Sequence, residues 1–182
     1  MATKVANDGL AGSIDLGKLS TTGTADATTY LRGDGAWSTV SSGDNTPSFR
    51  AKMSTYQTFS SGYIKIQFDT EDWDTDGAYD HSSNYRFTVP SGKAGKYFFT
   101  IGIAQKGTSA QGVNYPLVIY KNGSAIRYVS PTPTYGGNVE RLRVNWSEPL
   151  DLAESDYIEV FCNGTGFEIE DGFFSGFKLN GV

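Results

Sequence analysis

The sequence predicts an all-β protein, a two-sheet jelly-roll sandwich with an extended N-terminal arm. Eleven Phe, eleven Tyr and three Trp stand among many Thr and Val, the residue types that fit a pleated, half-buried surface. Twenty-two Gly supply turns at short intervals. No window shows sustained apolar residues at i, i+3, i+4 and i+7, so almost no helix is expected.

A length of 182 residues suits one domain of ordinary size plus an appendage. Composition changes at Asn45-Thr46-Pro47. Residues 1–46 are rich in Gly, Ala, Ser, Thr and Asp, with too few large apolar side chains to close a core. They read as an arm docked on neighbouring subunits, anchored by Leu16, Leu19, Tyr30, Leu31 and Trp37. Residues 47–182 form the body, and a body of this size buries about two thirds of its unfolded surface.

The body divides into short strands. Phe49–Met53 opens it, and Tyr63–Phe68 alternates, with Ile64, Ile66 and Phe68 on one face. Asp69–Asn84 reads as a long acidic loop. Tyr85–Val89 is stopped by Pro90-Ser91-Gly92, and Lys96–Ala104 follows. Leu117–Lys121 and Ser124–Val129 flank Asn122-Gly123, a strong hairpin signal because a type I′ turn needs positive φ at both central positions. Arg141–Trp146, Tyr157–Cys162 and Phe173–Leu179 complete about eight strands, enough for a two-sheet jelly roll.

Several strands are apolar on both faces. One face of Tyr97–Ala104 carries Tyr97, Phe99, Ile101 and Ile103, while Phe98 lies on the other. Tyr157 and Phe161 oppose Ile158, Val160 and Cys162, and Phe174 opposes Phe173 and Phe177. An isolated sandwich should be polar on its outer face. Phe98, Tyr157, Phe161 and Phe174 are therefore expected at a homotrimer interface.

Fifteen basic against twenty acidic side chains give a net charge of −5 and no basic stripe, which excludes phosphate tracking and a nucleic-acid partner. The single cysteine, Cys162, excludes an intrachain disulfide and Cys-rich zinc sites. The N-terminal stretch has no apolar h-region, and no run approaches eighteen apolar residues, so neither secretion by a signal peptide nor membrane insertion is expected.

Catalytic signals are weak. The sole histidine, His81, has no nucleophile pattern beside it, and Cys162 reads as a buried strand residue. The acids between Asp69 and Asp80 read as solvated, although paired carboxylates serve glycosidases. No enzymatic activity and no cofactor are expected. Calcium is the one metal considered. Asp72-Trp73-Asp74-Thr75-Asp76-Gly77 reproduces the first half of an EF-hand loop, with Asp72, Asp74 and Asp76 as candidate ligands. Position twelve, however, is Ser83. Sequons at Asn122, Asn145 and Asn163 read as turn or exposed strand positions.

The body resembles a known family. Ile64–Asp69, Asp76–Asp80, Tyr85–Pro90, Gly92–Thr100 and the ending Phe174-Ser175-Gly176-Phe177-Lys178-Leu179 are similar, in order and spacing, to the complement-q globular heads, which in turn resemble tumour necrosis factor. The resemblance spans residues 47–182 and implies a ten-stranded jelly roll and a tight three-fold trimer. A collagen-like Gly-X-Y stalk, usual in that family, does not precede it in this sequence. In the arm, Leu16-Gly17-Lys18-Leu19 and Ala27–Trp37 resemble a short segment of phage tail-fibre proteins. Within that pattern Arg32-Gly33-Asp34 reads as a turn, not an integrin motif. Together the two resemblances imply a phage structural protein on the virion surface, a trimer anchored to other virion proteins by its arm. A tail-fibre tip binding a host surface receptor is the leading placement. A capsid decoration (cement) protein is the first alternative, and a soluble ligand-binding or signalling module the second.

Overall fold

The computed structural model describes residues 21–39, 45–107, 116–130 and 141–180. The chain divides into two compact units, residues 1–42 and 43–182. Leu16 and Leu19 lie outside the described residues.

In the first unit, β1 (Thr29–Leu31) and β2 (Trp37–Thr39) pair antiparallel. Arg32-Gly33-Asp34 forms the connecting turn. The Arg32 N–H donates to the Ala36 carbonyl at 2.8 Å, and the Asp34 carboxylate accepts the Ala36 N–H at 3.1 Å. Gly35 takes φ 82°, a left-handed conformation that a glycine adopts without steric cost. Tyr30 and Leu31 are exposed on this hairpin, and Trp37 is half-buried.

The second unit is a sandwich of two antiparallel sheets. Its strands are β3 (Ser48–Lys52), β4 (Gln57–Phe59), β5 (Gly62–Lys65), β6 (Thr70–Asp74), β7 (Tyr79–Asp80), β8 (Arg86–Thr88) and β9 (Gly95–Gly107). They continue as β10 (Leu117–Lys121), β11 (Ser124–Val129), β12 (Arg141–Leu152), β13 (Tyr157–Gly164) and β14 (Phe167–Lys178). Sheet I runs β11-β10-β13-β8-β7, with β5 also paired to β13. Sheet II runs β12-β9-β14-β3-β6, with β4 also paired to β14. The chain enters and leaves at the same end, where the Lys178 N–H bonds the Pro47 carbonyl at 3.0 Å.

Strands absent from the sequence reading have physical reasons. The segment read as an acidic loop contains β6, whose polar sequence conceals an edge strand. Asp72 is held across the ladder by ion pairs to Arg50 and Lys52 of β3. Strand β12 runs on through Pro149, which is tolerated because β12 lies at the edge of sheet II and needs no outward N–H there. The β10–β11 hairpin forms as the sequence predicts, with Asn122 at φ 52° and Gly123 at φ 76°.

The core is aromatic. Phe49 stacks on Tyr79 at 5.0 Å and on Phe87 at 5.1 Å, and meets Phe174 edge-on at 4.9 Å. Phe174 is thus fully buried inside the sandwich, which corrects its expected place at a subunit interface. The cause is register. Phe174 pairs with Ile101 and Ala51, both core residues, while Phe173 and Phe177 alternate outward. A strand with aromatics on both faces does not reveal from composition which face turns in. Gly176 keeps this core closed, since a Cβ there would lie 2.4 Å from Phe99 Cδ1.

Candidate functional site

The EF-hand-like half-motif does not curl into a calcium loop. Asp72 and Asp74 sit in a strand, and the three carboxylates have separate tasks. Asp72 pairs with Arg50 and Lys52, and these contacts hold its pKa below the ordinary carboxylate range, the Lys52 hydrogen bond most of all. Asp74 accepts the Tyr79 N–H at 2.8 Å and the Asp76 N–H at 3.3 Å, tying the β6–β7 turn together. Asp76 accepts the Thr75 hydroxyl at 2.8 Å and lies 3.7 Å from the Lys93 ammonium. Among the described residues, no group of three or more His, Cys, Asp and Glu side chains is arranged to hold a metal ion.

Cys162 and His81 have different surroundings. Cys162 is buried and accepts a contact from Gln105 Nε2 at 3.2 Å. Burial pushes its thiol pKa up to about 12, so the reactive thiolate is suppressed near neutral pH. His81 is exposed on the β7–β8 connection, with Nδ1 2.7 Å from Glu71 Oε1.

What the sheets do present are two aromatic outer faces, one on each side of the sandwich. On sheet II, Phe98 and Phe177 pack with ring centroids 5.9 Å apart. Phe173 lies against Gly102, where a Cβ would come within 2.6 Å of its ring, and the Arg50 guanidinium covers its ring 4.6 Å from the centroid. Trp73 stands 51% exposed and Phe177 37%. Between them is a shallow hollow of about 290 Å³, lined also by Asn45, Ser48 and Ser175.

On sheet I, Tyr120 and Phe161 meet at 4.4 Å, Lys65 reaches over Phe161, and Arg86 lies 4.2 Å from the centroid of the Tyr157 ring. Tyr63 and Tyr128 are 49% and 59% exposed. The four residues predicted for one interface therefore do not share a face. Phe98 belongs to sheet II, Tyr157 and Phe161 to the outside of sheet I, and Phe174 to the core. Phe173, Phe177 and Trp73 were missing from that set. For Phe173 and Phe177 the alternation in the sequence was available, but its direction was not.

The globular domain of zebrafish complement 1qA superposes with a TM-score of 0.55 at 16% identity, covering 74% of this chain and 98% of that domain. Murine APRIL superposes with a TM-score of 0.54 at 8% identity, covering 72% and 98%. The fold is the complement-q and tumour-necrosis-factor jelly roll. At these identities the likeness is one of fold alone. No family profile matches the chain, and no curated protein matches it in sequence.

Proposed function

We propose that this protein is a non-enzymatic binding module that works as a homotrimer, with the outer face of sheet II at the subunit contact. The carrying observation is the apolar cluster of Phe98, Phe173, Phe177 and Trp73 on a sheet face that an isolated sandwich would make polar. Covering one such side chain stabilises by roughly 1.5–3 kcal/mol, so a few per contact suffice for association. Gly102 lets Phe173 lie close to the sheet, which flattens the face for a partner. The fold shared with complement 1qA and APRIL supports a binding or signalling module over other roles. The suppressed Cys162 thiol and the exposed, carboxylate-bound His81 support a non-enzymatic one. Light scattering at micromolar concentration should give three times 19.7 kDa. A monomer mass would overturn the proposal.

A second reading, that the trimer sits on a phage particle, rests on the tail-fibre-like segment. Its Ala27–Trp37 part lies in the β1–β2 hairpin, with Tyr30 and Leu31 exposed for contact with other virion proteins. The structural neighbours do not bear on it. Immunogold labelling of intact particles would test it, and labelled tails, labelled capsids and unlabelled particles would separate host attachment, decoration and a soluble module.

A further inference from the structure

We propose that Asn122 is a deamidation site gated by the fold, shielded while the β10–β11 hairpin is closed and modified irreversibly once it opens. The observation that carries it is the grip of β13 and the residue before it on the side-chain amide of an Asn-Gly pair.

Asn122-Gly123 invites the reaction on chemical grounds. Glycine has no Cβ, so its amide nitrogen is the least hindered that a following residue can offer. In deamidation that nitrogen gives up its proton and bonds to Asn122 Cγ. The Cγ–Nδ2 bond breaks, ammonia leaves, and a succinimide ring closes. Water then opens the ring at one of its carbonyls, yielding aspartate or isoaspartate. The sequence needs water and no other co-reactant. Asn122 is exposed, so water reaches it. What shields it is hydrogen bonding.

Each polar atom of the side chain is held away from ring closure. Asn122 Oδ1 accepts the Tyr157 N–H at 2.9 Å, and Nδ2 donates to Asp156 Oδ1 at 2.6 Å. The Asn122 N–H donates to the Tyr157 carbonyl at 3.0 Å, so its backbone and side chain share one anchor. Asp156 is itself fixed by Lys121 Nζ and the Ala153 N–H, both at 2.8 Å. Bringing Cγ to the Gly123 nitrogen requires the side chain to release Tyr157 and Asp156 together, a local opening of this end of sheet I. Asn163-Gly164, the other Asn-Gly pair with both residues described, lies within the β5–β13 ladder rather than in a turn.

The product cannot take the reactant's place. An aspartate at this position keeps an acceptor for the Tyr157 N–H, but its second oxygen meets the Asp156 carboxylate where an N–H donor stood. Two carboxylates at hydrogen-bond distance repel. An isoaspartate lengthens the main chain inside the turn and spoils its geometry. An opening that leads to reaction is therefore recorded in the chain.

Peptide mapping by mass spectrometry tests this, on the full chain incubated in mildly alkaline buffer with and without urea. Deamidation at Asn122 is expected to be roughly tenfold slower, or more, in the folded protein than in urea. Asp156→Ala should raise the folded-state rate roughly fivefold and leave the rate in urea unchanged. Glu154→Ala, in the same β12–β13 connection but bonded to the Gly92 N–H, should change neither. If Asp156→Ala does not fold, the wild-type rate in sub-denaturing urea decides, and it should rise in step with hydrogen exchange at the Tyr157 N–H. Asn122→Asp should melt below the wild type. Equal rates with and without urea, no reaction in urea, or no acceleration in folded Asp156→Ala would each overturn the inference. So would a rate independent of Tyr157 exchange, or an Asn122→Asp variant that melts at or above the wild type.

Discussion

Asp156 shows how one side chain joins two turns. It accepts from Lys121 at 2.8 Å, from Asn122 Nδ2 at 2.6 Å and from the Ala153 N–H at 2.8 Å, fastening the β10–β11 hairpin to the β12–β13 connection. These partners, Lys121 foremost, depress its pKa from 3.8 to about 2. A carboxylate depressed on folding stabilises above its unfolded pKa, and that stability is lost as pH falls through the folded value. Melting temperature should therefore drop between about pH 4 and pH 2, and Asp156→Asn should flatten that part of the curve. Gly176 is a packing constraint of another kind. Gly176→Ala would drive a methyl into Phe99 and Phe49, and should cost about 1–3 kcal/mol in urea unfolding. Cys162 should resist a thiol reagent in the native protein and react fully after unfolding, because its thiol is buried and its pKa raised.

Within the strands, β6 shows where the sequence is legible and where it is not. Alternating apolar residues make β9 and β13 readable, and Asn122-Gly123 marks the turn after the apolar run of β10 by local chemistry alone. Thr70–Asp74 carries no such signal, since its pairing depends on Arg50 and Lys52, some twenty residues earlier. Asp72, Asp74 and Asp76 resemble calcium ligands in the sequence because alternate acids look alike in a loop and in a strand. Asp74→Asn should lower the melting temperature by weakening the acceptor for the Tyr79 N–H, and by the same amount in calcium and in chelator. In β14 the spacing of Phe173, Phe174 and Phe177 was plain, yet the inward face was fixed by pairing with Ile101 and Ala51. Sequence alternation gives two faces; only tertiary register says which one is buried.

The second compact unit, residues 43–182, is a sandwich with an aromatic surface on either side. A chain shortened to begin at Asp44 should keep the fold and the oligomer, because the aromatic core and the sheet II face lie wholly in the second unit. Loss of folding in that shortened chain, seen by circular dichroism, would show that the arm supports the body. The central claim is that sheet II holds the subunits together while sheet I does not. Sedimentation equilibrium of Phe177→Asp beside Phe161→Asp tests it most directly. The account predicts monomers for Phe177→Asp and an intact trimer for Phe161→Asp. An intact trimer for Phe177→Asp, or monomers for Phe161→Asp, would contradict it.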